Sequence, residues 1–245
     1  MLTAPSFLRT RLVPLLLGLL LACAPAHSPG PPAVPKAPQA ASRLPIAQSL
    51  RRPAPVFGHE HAAWLEREGR AETERPDEVI AAMHLRAGAV VAEIGCGTGF
   101  FSRRLARAVG PLGKVYAEDI QPEMLDLLQK YATDDGTSNI VTVLGGETDP
   151  KLPKGQMDWI LLVDVYHEFQ NPAPMLAKIR EALRPGGHVA LVEYRAEDHS
   201  ADHISPPHRM SVEQVLREWT PAGFDLVERI ETLPSQHLFV FTARR

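Results

Sequence analysis

Apolar and polar positions divide the chain into three regimes. Leu12 to Ala22 is a leucine-rich run broken only by Pro14 and Gly18, and Arg9 and Arg11 precede it. About 20 apolar residues are needed to span a bilayer, so this shorter run has the shape of an export signal. From Ala24 to about Phe57 no apolar period exists, and prolines stand at 25, 29, 31, 32, 35, 38, 45, 53 and 55. Such a segment cannot bury a core and favours extended polyproline conformations, which makes it a stiff tether. Beyond it, short apolar runs alternate with stretches whose apolar residues recur at three- and four-residue intervals, the signature of strands alternating with helices.

Taken in order, the pattern predicts a helix from Pro76 to Leu85 and a strand at 90–94. A helix carrying Phe101, Leu105, Ala108 and Val109 follows, with Arg103, Arg104 and Arg107 on its outer face. Strands are expected at 114–120, 139–144, 157–164 and 188–194, separated by helices opening near Gln121 and Pro174. Ser211 caps a further helix. Two strand-like runs, Phe224 to Thr232 and Gln236 to Thr242, then follow with no helix between them. Residues 59–75 are dense in charge and read as surface helix with paired charges, or as a cap over a ligand through Arg70, Glu74 or Arg75.

Candidate chemistry concentrates after the first of these strands, in Glu93-Ile94-Gly95-Cys96-Gly97-Thr98-Gly99. Glycines at 95, 97 and 99 allow positive φ and a close backbone approach by a ligand, and the following helix offers unpaired N–H groups. A dinucleotide fingerprint needs glycine at position 100, where this chain has Phe100. The Glu93 carboxylate would also repel a pyrophosphate. The turn therefore suits an uncharged or cationic nucleoside.

This stretch resembles the first motif of the class I S-adenosylmethionine-dependent methyltransferases. Val115 to Leu125 resembles the second motif, and Leu183-Arg184-Pro185-Gly186-Gly187 a marker that follows the fourth strand. The resemblance runs from about residue 76 to 242. It implies a Rossmann-like seven-stranded, mostly parallel sheet with helices on both faces and a C-terminal antiparallel β-hairpin, and S-adenosyl-L-methionine as cofactor. The implied cofactor residues are Glu93, Gly95, Cys96, Gly97, Thr98, Gly99, Asp119, Ile120, Glu147 and Asp164. Asp119 is the ribose residue and Glu118 the lesser candidate, because strand alternation should turn it away. The adenine contact stays open among Glu147, Thr148 and Asp149, with Glu147 preferred.

Ligands in open α/β sheets sit beyond the carboxyl ends of strands, which places Asp164 to Glu168 beside the transferring group. His167 is the catalytic candidate; Tyr166 and His208 are the substrate candidates. The loop holding His199, His203 and His208 reads as a substrate lid. Its histidine spacings fit no compact metal set without a helix, which Pro206-Pro207 would break, so no metal is expected.

Leu20-Leu21-Ala22-Cys23 resembles a bacterial lipoprotein processing site, with Cys23 carrying the lipid; cleavage near Ala26 by an ordinary secretory route is the alternative. The expected organisation is a signal peptide at 1–22, a tether at 23–57 and a methyltransferase domain at 58–245, lipid-anchored in the bacterial cell envelope or else secreted. Cys96 is then the sole remaining cysteine, so no internal disulfide forms. The formal charge is −3, and loss of a leader with Arg9, Arg11 and no acid makes it −5, which argues against a nucleic-acid partner. The partner is instead a small-molecule substrate or another methyl acceptor. A nucleotide-dependent oxidoreductase and a non-catalytic binder of the cofactor are the competing readings.

Overall fold

The computed structural model describes residues 52–244, so the expected signal, most of the tether and Cys23 lie outside the described residues. A 3-10 segment, His59–Glu66, precedes two short helices, α1 (Arg70–Glu74) and α2 (Pro76–Ala82). Strand and helix then alternate through β1 (Val90–Ile94), α3 (Phe100–Val109), β2 (Lys114–Asp119), α4 (Pro122–Asp134), β3 (Ile140–Leu144), β4 (Met157–Val163), α5 (Pro172–Ala182) and β5 (Leu183–Arg195). After two 3-10 turns, β6 (Arg209–Met210), α6 (Val212–Trp219), β7 (Phe224–Ile230) and β8 (Gln236–Ala243) complete the order.

The main sheet runs β3-β2-β1-β4-β5-β8-β7, with β6 paired to the far end of β5. Strands β1 to β5 are parallel. β8 enters antiparallel between β5 and β7, as the helix-free C-terminal pattern predicts. The seven-stranded sheet is as expected; the two-residue β6 is an addition that anchors the lid loop at Tyr194 and Arg195.

Both faces of the sheet are covered, and this explains why β4 is apolar at nearly every position. Ile160 and Leu162 face Met175, Leu176, Ile179 and Trp219 of α5 and α6. Leu161 and Val163 face Val79 of α2, Met83 just beyond it, and Phe101 and Leu105 of α3. Alternation along one strand therefore feeds two cores. Leu183 to Gly187, which precedes the strand expected at 188–194, is drawn into β5, where Leu183 pairs with Met157 across a register shift.

Two charged segments depart from their expected solvent faces. Arg103 is 9% exposed, because its guanidinium joins Glu66 at 2.7 Å and Asp135 at 2.9 Å. Burial alone would weaken that charge, but these two carboxylates more than offset it and its pKa rises. Glu74 and Arg70 are also buried, paired at 2.9 Å, with Arg67 closing on Glu74 at 2.7 Å. The bland reading of 59–75 as a solvated face is thus corrected for these residues. The last expected tether residues pack too: Ala54 is fully buried and donates its N–H to the His167 carbonyl.

Candidate cofactor and acceptor site

At the carboxyl end of β1 the chain turns through Gly95 and Gly99, with φ of 68° and 81°, into α3, which no side chain caps. A Cβ at Gly95 would strike Val165, and one at Gly99 would come 2.6 Å from Leu128. Glycine is therefore needed for both conformation and packing. The Cys96 thiol packs toward Leu125 and Leu128. Burial, with Glu93 nearby, pushes its pKa well up, so this position contributes backbone rather than a nucleophile.

Carboxylates converge on this turn. Asp119 accepts from the Gly97 N–H and the Gln121 N–H, each at 2.9 Å, and keeps further lone pairs for ribose hydroxyls. Burial raises its pKa, and these N–H donors oppose the rise. Glu118 is not turned away as alternation implied. One of its oxygens accepts from the Gly95 N–H at 3.3 Å; the other, Oε1, is buried without a partner and abuts Gly145. Glu93 takes the Ser102 hydroxyl. Burial lifts both Glu93 and Glu118 to about 8, so each carries a proton at neutral pH.

Asp164 follows β4 at a φ of 50°, a strained position for a non-glycine residue, and accepts from Gln236 Nε2 at 2.7 Å. Its Oδ1 is buried and unpartnered, and burial with Glu74 and Glu193 nearby lifts its pKa well above the usual range. An orphaned acceptor at a strand end beside a glycine turn fits the ammonium of a bound amino-acid moiety. Ile120, 38% exposed, offers an apolar face next to Asp119. Glu147 sits exposed at the tip of the turn closed by Gly146 and Asp149.

A strap crosses the cradle. Glu66 accepts from Thr98 Oγ1 at 2.6 Å, Leu65 lies over Gly97, and Gln121 bridges the Phe57 carbonyl and the His59 N–H. Thr98 thus ties the strap down. A cavity of about 370 Å³ opens elsewhere, around Met83, Asp158, Trp159 and Arg184, away from the cradle.

Beyond β4 a 3-10 turn, Tyr166–Glu168, separates three neighbouring side chains. Tyr166, expected to face a substrate, is instead a core residue. It is fully buried against Trp219 and Phe169, and its hydroxyl donates to Glu218 at 2.7 Å. The turn rotates it under α6 and points His167 the other way. His167 is 4% exposed; its Nδ1 lies 2.6 Å from Glu193 Oε2, and its Nε2 3.1 Å from His208 Nδ1. Burial, with His167 alongside, lowers His208 to about 4 and keeps it neutral. Glu168 accepts from the Phe57 N–H at 3.0 Å, and burial raises it to about 7.

His208 leaves the lid alone for this cluster. His199 pairs with Asp202 at 2.8 Å, and His203 sits edge-on to Tyr194. Glu193 and Gln236 were missed from the sequence. For Glu193 the signal was there: like Glu93, it is an acid at the end of an otherwise apolar strand.

Comparison with known proteins agrees with this geometry. Residues 91–187 match the family model described as a methyltransferase domain. The chain is 34% identical over 152 residues to the biotin biosynthesis bifunctional protein BioCD of Bordetella avium, covering 59% of this chain and 30% of that protein. It is 31% identical over 111 residues to the ubiquinone/menaquinone biosynthesis C-methyltransferase UbiE of Hahella chejuensis, covering 45% of each. This chain therefore spans less than half the length of either relative. A solved S-adenosylmethionine-dependent methyltransferase from Aquifex aeolicus superposes with a TM-score of 0.71 at 25% identity, covering 76% of this chain and 98% of that one. Residues 91–187 thus match a methyltransferase domain, and the sheet around them is the fold of a solved S-adenosylmethionine-dependent methyltransferase.

Proposed function

We propose that this chain is an exported, lipid-anchored methyltransferase that acts on an acceptor carrying an acidic proton. The observation that carries this reading is convergence: the Asp119 cradle and the Glu193–His167–His208 line lie at the carboxyl ends of the consecutive strands β2, β1, β4 and β5 of one sheet. The bound sulfonium supplies an already electrophilic methyl group. The chain's own residues have the remaining tasks.

Asp119 holds the ribose, the Asp164 carboxyl receives the ammonium, and the Leu65–Glu66 strap keeps water from the cradle. Neutral His208 can accept a proton from an acceptor group, and His167 beside Glu193 stabilises the charge that forms. A base suits O–H, S–H and N–H acceptors. It also suits an acidic C–H, the reading favoured by similarity to a protein named as a C-methyltransferase. The export claim rests on the leader and Cys23.

Calorimetry with S-adenosylmethionine and S-adenosylhomocysteine on the full chain tests the core of this reading. Saturable one-to-one binding of both is expected. No heat from either ligand would overturn it.

A further inference from the structure

We propose that His167, Glu168 and His208 bind a divalent first-row transition cation, with Glu193 as the outer carboxylate that orients His167. The remaining positions of the cation take an oxygen or sulfur atom of the methyl acceptor. The role of the acceptor atom rests on the methyltransferase reading; cation binding does not.

Three donor atoms, one from each residue, already lie within 4.8 Å of one another. His167 Nε2 and His208 Nδ1 are 3.1 Å apart. Two ligands about 2.1 Å from a shared ion are separated by roughly 3.0–3.4 Å in octahedral or tetrahedral geometry, so the pair needs little movement. Glu193 Oε2, 2.6 Å from His167 Nδ1, fixes the tautomer with its lone pair on Nε2. This is the outer-carboxylate arrangement that metal-binding histidines use. The Phe57 N–H engages Glu168 Oε1 and orients that carboxylate in turn.

Burial and charge point the same way. Glu193 is fully buried, His167 nearly so, and the Asp164 carboxyl stands at the start of the same loop. A divalent ion would neutralise a group of carboxyls held away from water. Two imidazoles and one carboxylate form the donor set of a reactive centre that keeps a free position. With the ion bound, His208 is a ligand and no longer the proton acceptor, and an acceptor hydroxyl or thiol on the ion would release its proton to water more readily. The ion would also clip the lid, through His208, to the end of β4.

Titration of the full chain with Co²⁺, followed by visible absorption, tests the site. One equivalent should bind with a ligand-field band, which Zn²⁺ then displaces. His208→Ala should abolish the band, Glu168→Gln should weaken binding at least about tenfold, and Glu193→Gln should weaken it about 10–100-fold. Glu168→Gln retains an acceptor for the Phe57 N–H, so its folding is secure if the His208 variant fails. No saturable band, or a band unchanged in both ligand variants, overturns the site. Calorimetry with S-adenosylmethionine on the same samples separates the two claims. Cofactor binding without cobalt binding sinks the cation site alone; cobalt binding without cofactor binding sinks the methyltransferase reading alone.

Discussion

Glu193 Oε2 stands 2.6 Å from His167 Nδ1, and its other oxygen accepts the His167 backbone N–H at 3.2 Å, so one fully buried carboxylate fixes both the ring and the peptide of the same residue. Glu193→Gln keeps the shape and removes the charge. It should lower kcat by about 10²-fold or more, the scale of lost acid–base assistance, while cofactor affinity stays within about twofold. Initial rates alongside calorimetry check this; an unchanged kcat would make Glu193 structural.

Asp119→Ala should weaken S-adenosylmethionine binding by about 1.5–3 kcal/mol, as for a lost hydrogen bond to a charged group. Asp119 also holds the Gly97 and Gln121 N–H groups, so Asp119→Asn is the companion variant. It keeps one oxygen for the backbone and should recover part of the affinity. Equal loss in both variants would place the effect in the charge rather than the turn.

Stability should depend on pH with two opposing windows. Glu93 and Glu118 are raised to about 8, so their protonated forms favour the fold below pH ~4.5, and that contribution is lost as pH climbs toward 8. His208 is lowered to about 4, so its contribution is present above pH ~6.5 and lost as pH falls toward 4. Without cofactor, Tm should be lower at pH 8.5 than at pH 6, and Glu118→Gln should flatten that alkaline limb. Calorimetric scans across pH 4–9 measure it, and an alkaline limb that Glu118→Gln leaves untouched would refute the assignment.

Arg103→Ala removes the guanidinium shared by half-buried Glu66 and exposed Asp135 and should destabilise the fold by about 1–2 kcal/mol, between an exposed pair and a buried one. The strap should loosen with it. Hydrogen exchange at residues 59–66 should accelerate more than at β4, and uniform acceleration would mean that Arg103 does not act through the strap.

Cys23→Ala should move the protein from the membrane fraction to the soluble one when cells are fractionated. Persistent membrane association would reject lipidation at that residue.

The alternating pattern of the domain was legible because most of the parallel strands are followed by helices of clear period, and β4 advertised its double burial by the unbroken apolar run from Trp159 to Val163. The glycine turn and Asp119 were legible because backbone conformation and ribose chemistry restrict the residue types there. What escaped is what depends on distant partners. Arg103 resembles any solvent-facing helix arginine until Glu66 arrives from 37 residues away. The inward turn of Tyr166 depends on a three-residue 3-10 twist that apolar spacing does not encode. His208 was legible as a substrate residue of a lid but not as a partner of His167, since that approach is set by the Pro206–His208 turn and β6.

The N–H bond from Ala54 to the carbonyl of His167 has a consequence for where the domain can be cut. Phe57 likewise engages the Glu168 carboxylate, so residues 54–57 brace the turn that carries both side chains. Trimming the chain to residue 58 would remove that brace along with everything before it.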